Sequence, residues 1–204
     1  MGQLILVRHG ETEWSASGQH TGRTDIPLTS RGEAAAAALT PLLAGRRIVA
    51  VRTSPAKRAV RTAELAGLQD PVIDPDLSEW DYGGYEGLTT PQIQADRPGW
   101  YLWRDGVPPG DQAHPGETVE QVGARADAVL GRVRPLLAEP DSGDVVLVAH
   151  GHLLRVLAAR WLGLAPADGR LLRLDTGTVS LLGNEHSHPV LASWNIRPAG
   201  QPDC

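Results

Sequence analysis

The chain has 204 residues, 41% of them hydrophobic and 21% charged, with a formal net charge of -5. That length suits one compact domain with a sizeable core, and the composition excludes a disordered or collagen-like chain. The acidic balance argues against a surface built to bind nucleic acid or an anionic membrane, so an anion site has to be small and concentrated.

The one cysteine, Cys204, stands last, which excludes an internal disulfide framework and a cysteine-rich zinc site. Leu4-Ile5-Leu6-Val7 reaches Arg8 too soon for a secretory segment, and no apolar run approaches a membrane span. A soluble, cytoplasmic protein is expected.

In chain order, Leu4 to Val7 is a short apolar run of the kind buried on both faces of a sheet, and it ends in Arg8-His9-Gly10. Thr29 suits the cap of a helix running to about Leu43, strained or kinked near Pro41. Ile48 to Val51 is a second strand. Ser54 as N-cap and Pro55 at the first helical position then open a helix that ends at Gly67. The stretch 79–115 is rich in Gly, Pro and Trp and weakly periodic; it predicts a lid excursion with at most a short helix near Pro91 to Ala95. A long amphipathic helix covers Glu117 to Leu137. Val145 to Ala149 repeats the first strand and ends in His150-Gly151-His152, and a helix follows to Gly163. Arg170 to Ile196 reads as strands separated at Gly177 and at a Gly183-Asn184-Glu185 turn. The alternation predicts a single three-layer αβα domain with a mainly parallel sheet, whose ligands gather beyond the carboxyl ends of the strands.

Both His-Gly pairs fall at that edge. Arg8 sets a fixed cation beside His9, and Arg58 lies on the first turn of a helix, where orphan N–H groups also favour an anion. The planar guanidinium fork holds two phosphate oxygens at once. An imidazolium at His150 can donate to a third. The neutral ring of His9 can then attack phosphorus and split one hard hydrolysis into two easier steps. Glu79 offers a carboxyl for the leaving alkoxide and later for water, which requires surroundings that let it start protonated. Glu11 and Glu86 are its rivals. The scheme needs no metal or cofactor, and the His150-x-His152 and His186-x-His188 pairs lack the third ligand that zinc requires.

Five ordered blocks resemble the histidine phosphatase superfamily, also called phosphoglycerate-mutase-like. They are Leu6 to Trp14 with its Arg8-His9-Gly10, Thr21 to Thr29, Thr53-Ser54-Pro55 to Arg58 and Thr62-Ala63, Leu77-Ser78-Glu79 to Glu86-Gly87, and Val148 to His152. The resemblance implies His9 as phosphorylated nucleophile, Arg8, Arg58 and His150 as the phosphate pocket, and Glu79 as proton donor. It also implies a small-molecule phosphate ester as substrate and allows a homodimer. Ser15 stands where the mutases carry asparagine, and the excursion offers only Arg97 and Arg104, unpaired. Both departures favour hydrolysis over mutase action. The segments around Trp14 to Gln19, Glu79 to Gly87 and Trp103 to Gly106 look like the branch with sedoheptulose bisphosphatase and broad-range acid phosphatases. Gly10, Ser15, Gln19, His20, Thr21, Gly22, Tyr82, Arg104 and Gly151 are the expected secondary substrate contacts. Trp80, Trp100 and Trp103 are placed to touch substrate, while Trp14, Trp161 and Trp194 are expected to pack. A mutase and an inert phosphate-ester binder are the alternatives.

Overall fold

The computed structural model describes residues 2–138 and 142–199, so Cys204 lies outside the described residues. Six strands form one sheet in the order β3-β2-β4-β1-β5-β6. They are β1 (Leu4–Arg8), β2 (Ile48–Thr53), β3 (Val72–Ile73), β4 (Asp144–Ala149), β5 (Val179–Glu185) and β6 (His188–Ile196). Strands β1 to β4 run parallel, and β5 and β6 add an antiparallel hairpin beside β1. This is the mainly parallel α/β sheet that the sequence predicts.

Side chains alternate across the two central strands. Leu4, Leu6, Val145, Leu147 and Ala149 enter one apolar cluster, and Ile5, Val7, Val146 and Val148 enter another on the opposite face. After the β1 loop comes a short helix, α1 (Glu13–Ser17); helices α7 (Val119–Ala138) and α8 (Gly151–Trp161) close the first cluster. On the second face lie α3 (Thr40–Leu43) and α4 (Lys57–Leu65), with α2 (Ser30–Ala37) packed against α4. Each fully buried Leu or Val contributes about 1.5–3 kcal/mol, which is why β1 and β4 are continuous apolar runs rather than half-polar ones. Among the described residues no helix is long and apolar enough to cross a membrane.

Four local expectations are corrected. The helix capped by Thr29 does not continue to Leu43: α2 stops at Ala37, and Pro41, which has no N–H to give an ongoing helix, sits in the first turn of a new one. The cap of α4 is Ala56, not Ser54, because the Ser54 hydroxyl is spent on His150 and on the Ala56 amide. The excursion holds two short helices, α5 (Thr90–Asp96) and α6 (Leu102–Asp105), where one was expected. The β5–β6 turn lies two residues further on, at His186 and Ser187, both with positive φ. Buried aromatic rings anchor the excursion: Trp80 and Trp103 meet edge to face at 5.6 Å, and the Trp80 indole N–H donates to the Glu117 carbonyl. Trp80, Trp100 and Trp103 are thus core residues rather than a substrate platform.

Candidate active site

Strands β1 and β4 are neighbours in parallel register, with Arg8 opposite Ala149, so the loops that follow them deliver His9 and His150 to the same point. Their rings lie 5.1 Å apart, edge to face. His9 Nδ1 is 2.7 Å from its neighbour's carbonyl, Gly10 O. A carbonyl only accepts, so Nδ1 carries the proton and Nε2 keeps the lone pair. Burial, with Arg58 and Arg8 close by, holds the His9 pKa well below the usual imidazole value, and the ring is neutral.

Arg58 is fully buried. Its Nε donates to His150 Nδ1 at 3.2 Å, Nη1 to Thr24 O at 2.9 Å, and Nη2 to Gly22 O at 3.0 Å and Thr21 O at 3.4 Å. Burial lowers its pKa, and Glu79, Asp25, Tyr82 and Glu86 oppose that. Since Arg58 Nε can only donate, His150 carries its proton on Nε2, which donates to Ser54 Oγ at 2.7 Å. Burial and the charges of Arg58 and Arg8 push the His150 pKa well down as well. The sequence reading of His150 as an imidazolium is therefore corrected: its ring is neutral and both nitrogens are engaged. Arg8 Nη1 donates to Leu174 O at 2.6 Å. The Arg8 guanidinium lies flat against Gly151, where an added Cβ would stand 3.1 Å from Cζ, so the glycine makes room for it.

Glu79 is buried, and its carboxylate accepts three amide hydrogens. Oε1 takes the N–H of Trp80 and Leu153, both at 2.9 Å, and Oε2 takes that of His152 at 3.0 Å. The last two are orphan donors of the first turn of α8. Oε2 accepts only one of the three bonds, which leaves it an acceptor site on which a proton can sit without disturbing them. A cavity of about 200 Å³ is lined by Arg8, His9, Glu79, Gly151, Ser15, Gln19, His20, Thr21, Tyr82, His152, Arg155 and Leu174. Glu79 and His150 also line a neighbouring cavity of about 480 Å³, together with Gly22 and Ser54.

The expected contacts divide. His20, Tyr82 and Gly151 reach the first cavity. Tyr82 Oη lies 2.6 Å from His152 Nδ1, and its ring sits 4.7 Å from that of His20. Ser15, Gln19 and Thr21 line the wall too, with side chains already bonded: Ser15 to the Thr12 backbone, Gln19 to Gly87 O and Thr21 to Gln19 O. Gly10 is corrected: its amide donates to Thr62 Oγ1, its carbonyl holds the His9 ring, and it does not line the cavity. Arg104 is corrected as well. It is exposed, paired with Asp105, and part of a separate groove beyond Trp103. Glu11 accepts from Thr29 Oγ1 and braces the start of α2, away from the cavity. The sequence reading gave no site role to Ser54, Thr62, Arg155 or His152, although Ser54 and Thr62 stand in its ordered blocks and His152 in the His150-x-His152 pair; Arg155 had no signal.

The chain is similar to known proteins over nearly its whole length. Residues 4–197 match the model of the histidine phosphatase superfamily, branch 1. An acid phosphatase of Mycobacterium tuberculosis is 40% identical over 202 residues, 98% of this chain and 95% of that protein. A sedoheptulose 1,7-bisphosphatase of Saccharomyces cerevisiae is 39% identical over 191 residues, 79% of this chain and 68% of the relative. Among solved structures, a mycobacterial glucosyl-3-phosphoglycerate phosphatase superposes with a TM-score of 0.83 at 30% identity, covering 96% of this chain and all of the other. The chain belongs to the histidine phosphatase superfamily, branch 1.

Proposed function

We propose that the protein is a phosphoric monoester hydrolase acting on small esters, sugar phosphates and bisphosphates among them, through a phosphohistidine on His9. The observation that carries this reading is the neutral His9 ring, its Nδ1 fixed on Gly10 O, in one cavity with Arg8 and Glu79. The names of the relatives support the same class of reaction.

In the first step the His9 Nε2 lone pair forms a bond to phosphorus while the ester P–O bond breaks, and the leaving alkoxide takes a proton from Glu79 Oε2. In the second, water attacks phosphorus, Glu79 takes its proton, the N–P bond breaks and phosphate leaves. Arg8 and Arg58 supply the positive charge that the equatorial oxygens need, so the scheme requires no metal. An arriving phosphoryl dianion offsets the charge of those two guanidinium groups, which raises the proton affinity of His150 and lets it donate to a phosphate oxygen. A mutase would need to grip a second anionic group. The arginines of the excursion do not reach the cavity, since Arg97 is exposed and donates to Tyr85 Oη and Arg104 pairs with Asp105, and this favours hydrolysis.

Phosphate release is to be measured over sugar mono- and bisphosphates, phosphoglycerates and nucleotides from acidic to neutral pH. Quenching during turnover of a labelled ester is expected to trap an acid-labile phosphoryl group that His9→Ala abolishes, with turnover reduced at least about 10³-fold. Turnover in the wild type without a trapped group, or an active His9→Ala, would sink the scheme.

A further inference from the structure

Glu86, a rival for proton donor on sequence grounds, has a different place in the fold. It follows the 3-10 turn Gly83–Tyr85 in the excursion, and its oxygens face the backbone of the loop 21–24. Oε1 accepts from Gly22 N at 2.9 Å and Thr24 N at 3.1 Å, and Oε2 lies 3.0 Å from Gly22 N. The same two residues turn their carbonyls to Arg58, which donates Nη2 to Gly22 O and Nη1 to Thr24 O. Gly22 is fitted between them: an added Cβ would lie 2.7 Å from both Glu86 Oε2 and Trp80 O.

From this geometry we infer that Glu86 is a positioning residue for the guanidinium of Arg58, acting through the loop 21–24. The inference rests on the reading of Arg58 as a phosphate-binding group. A buried guanidinium goes where its acceptors are, because an unpaired N–H in a dry site is costly. The carbonyls of Thr21, Gly22 and Thr24 are such acceptors: the Gly22 amide that Glu86 holds shares its peptide unit with the Thr21 carbonyl, and the Gly22 and Thr24 carbonyls follow directly after the two amides that Glu86 fixes. Glu86 thereby links the excursion to the phosphate end of the cavity without touching substrate. Neither of its oxygens is left facing the wall that Glu79 shares with His9.

The test is the binding of inorganic phosphate by calorimetry, alongside kcat and KM for one phosphomonoester. Glu86→Ala is expected to weaken phosphate binding about tenfold or more, the scale on which coupled neighbours act. Glu86→Gln, whose single amide oxygen can still take both N–H groups, should recover most of that loss. Should Glu86→Ala fold poorly, Gly22→Ala displaces the same loop with the carboxylate intact and should weaken phosphate binding in the same way. In an Arg58→Ala background, Glu86→Ala should change phosphate affinity by less than about twofold, because the group it positions is gone. Independent losses that multiply in the double variant, or phosphate affinity unchanged in folded Glu86→Ala, would overturn the inference. A Glu86→Gln as inactive as Glu86→Ala with normal phosphate binding would make Glu86 the proton donor instead. Because binding is read separately from turnover, a wild type that binds phosphate but hydrolyses nothing removes the proposed function and leaves this inference standing; a wild type that does not bind phosphate overturns both.

Discussion

The site, which spans two neighbouring cavities that share Glu79, has two ends built by different means. At the strand ends, Arg8, His9 and His150 are spaced by the hydrogen-bond ladder of β1 and β4, and Arg58 is locked by backbone carbonyls. At the excursion end, Tyr82, His20 and His152 are held by packing against Trp100 and Trp103, with Arg155 beside them over the Trp103 ring. Burial pushes His20 down to about 4 and, with Arg155, drives His152 well down, while burial and Glu79 push the Tyr82 phenol well up. All three rings are therefore uncharged at neutral pH. In the proposed scheme the phosphoryl group, whose charge is the same in every substrate, meets cations fixed by strand ends and by backbone carbonyls. The variable body of the ester would meet neutral rings held by aromatic packing and one cation, Arg155, at their side.

Glu79 stands on the seam between the two ends, and its replacement should separate them most sharply. Glu79→Gln removes the transferable proton and sets an amide NH₂ against the N–H donors of α8. For esters of poorly acidic alcohols such as sugars, kcat/KM should fall about 10²–10⁴-fold, the usual worth of a positioned general acid. For a nitrophenyl ester, whose leaving group needs no proton, the loss of the first step should be much smaller. Equal losses for both kinds of ester, measured by phosphate release, would mean that Glu79 acts on the phosphoryl end alone.

Acid should affect the excursion end through stability. His20 takes a proton near 6.5 in the unfolded chain but only near about 4 when folded, so between those values the unfolded state binds more protons. Its contribution is fully present above pH 6.5 and is lost as pH falls toward 4, of the order of 3 kcal/mol for a shift of this size. His9, His150 and His152 shift in the same direction, so the informative quantity is a difference. Denaturant melts at pH 7 and pH 4.5 should show a smaller drop for His20→Leu than for the wild type. Parallel drops would place the His20 ring in water.

The strand-end half was legible from sequence because its information is local. A continuous apolar run followed by Arg8-His9-Gly10, and another followed by His150-Gly151, name both the element and the residue at its end. The excursion was legible only in its residue types. Glu79 could be picked out, but its three amide donors come from Trp80 and from a helix more than 70 residues away, and no local pattern encodes them. For the same reason Ser54 was read as a helix cap: proline after serine looks the same whether the hydroxyl turns to its own helix or across the sheet to His150. Trp80, Trp100 and Trp103 read as substrate contacts because an irregular, glycine-rich stretch resembles a surface loop until the rings find a common core, whereas Trp161, on a periodic helix, is buried as expected.

Arg104 gives the smallest expected effect and the cleanest control for the boundary of the excursion end. Its side chain is 66% exposed, and its guanidinium pairs with Asp105 and donates to Gly99 O. Asp105 in turn is held at about 2 by the Arg104 guanidinium and the Tyr101 amide. That pair ties α6 to the segment before it, through the Tyr101 amide and the Gly99 carbonyl, and lines a groove together with Trp103, whose ring also meets that of His152. An exposed pair of this kind adds little to stability and is screened by salt. Arg104→Ala should therefore leave kcat/KM within about twofold for mono- and bisphosphates alike, since a surface charge away from the bound anion supplies only weak steering. A selective loss toward bisphosphates would show that a second phosphate reaches around Trp103, and the excursion end would then have to be redrawn with Arg104 as a second cation besides Arg155.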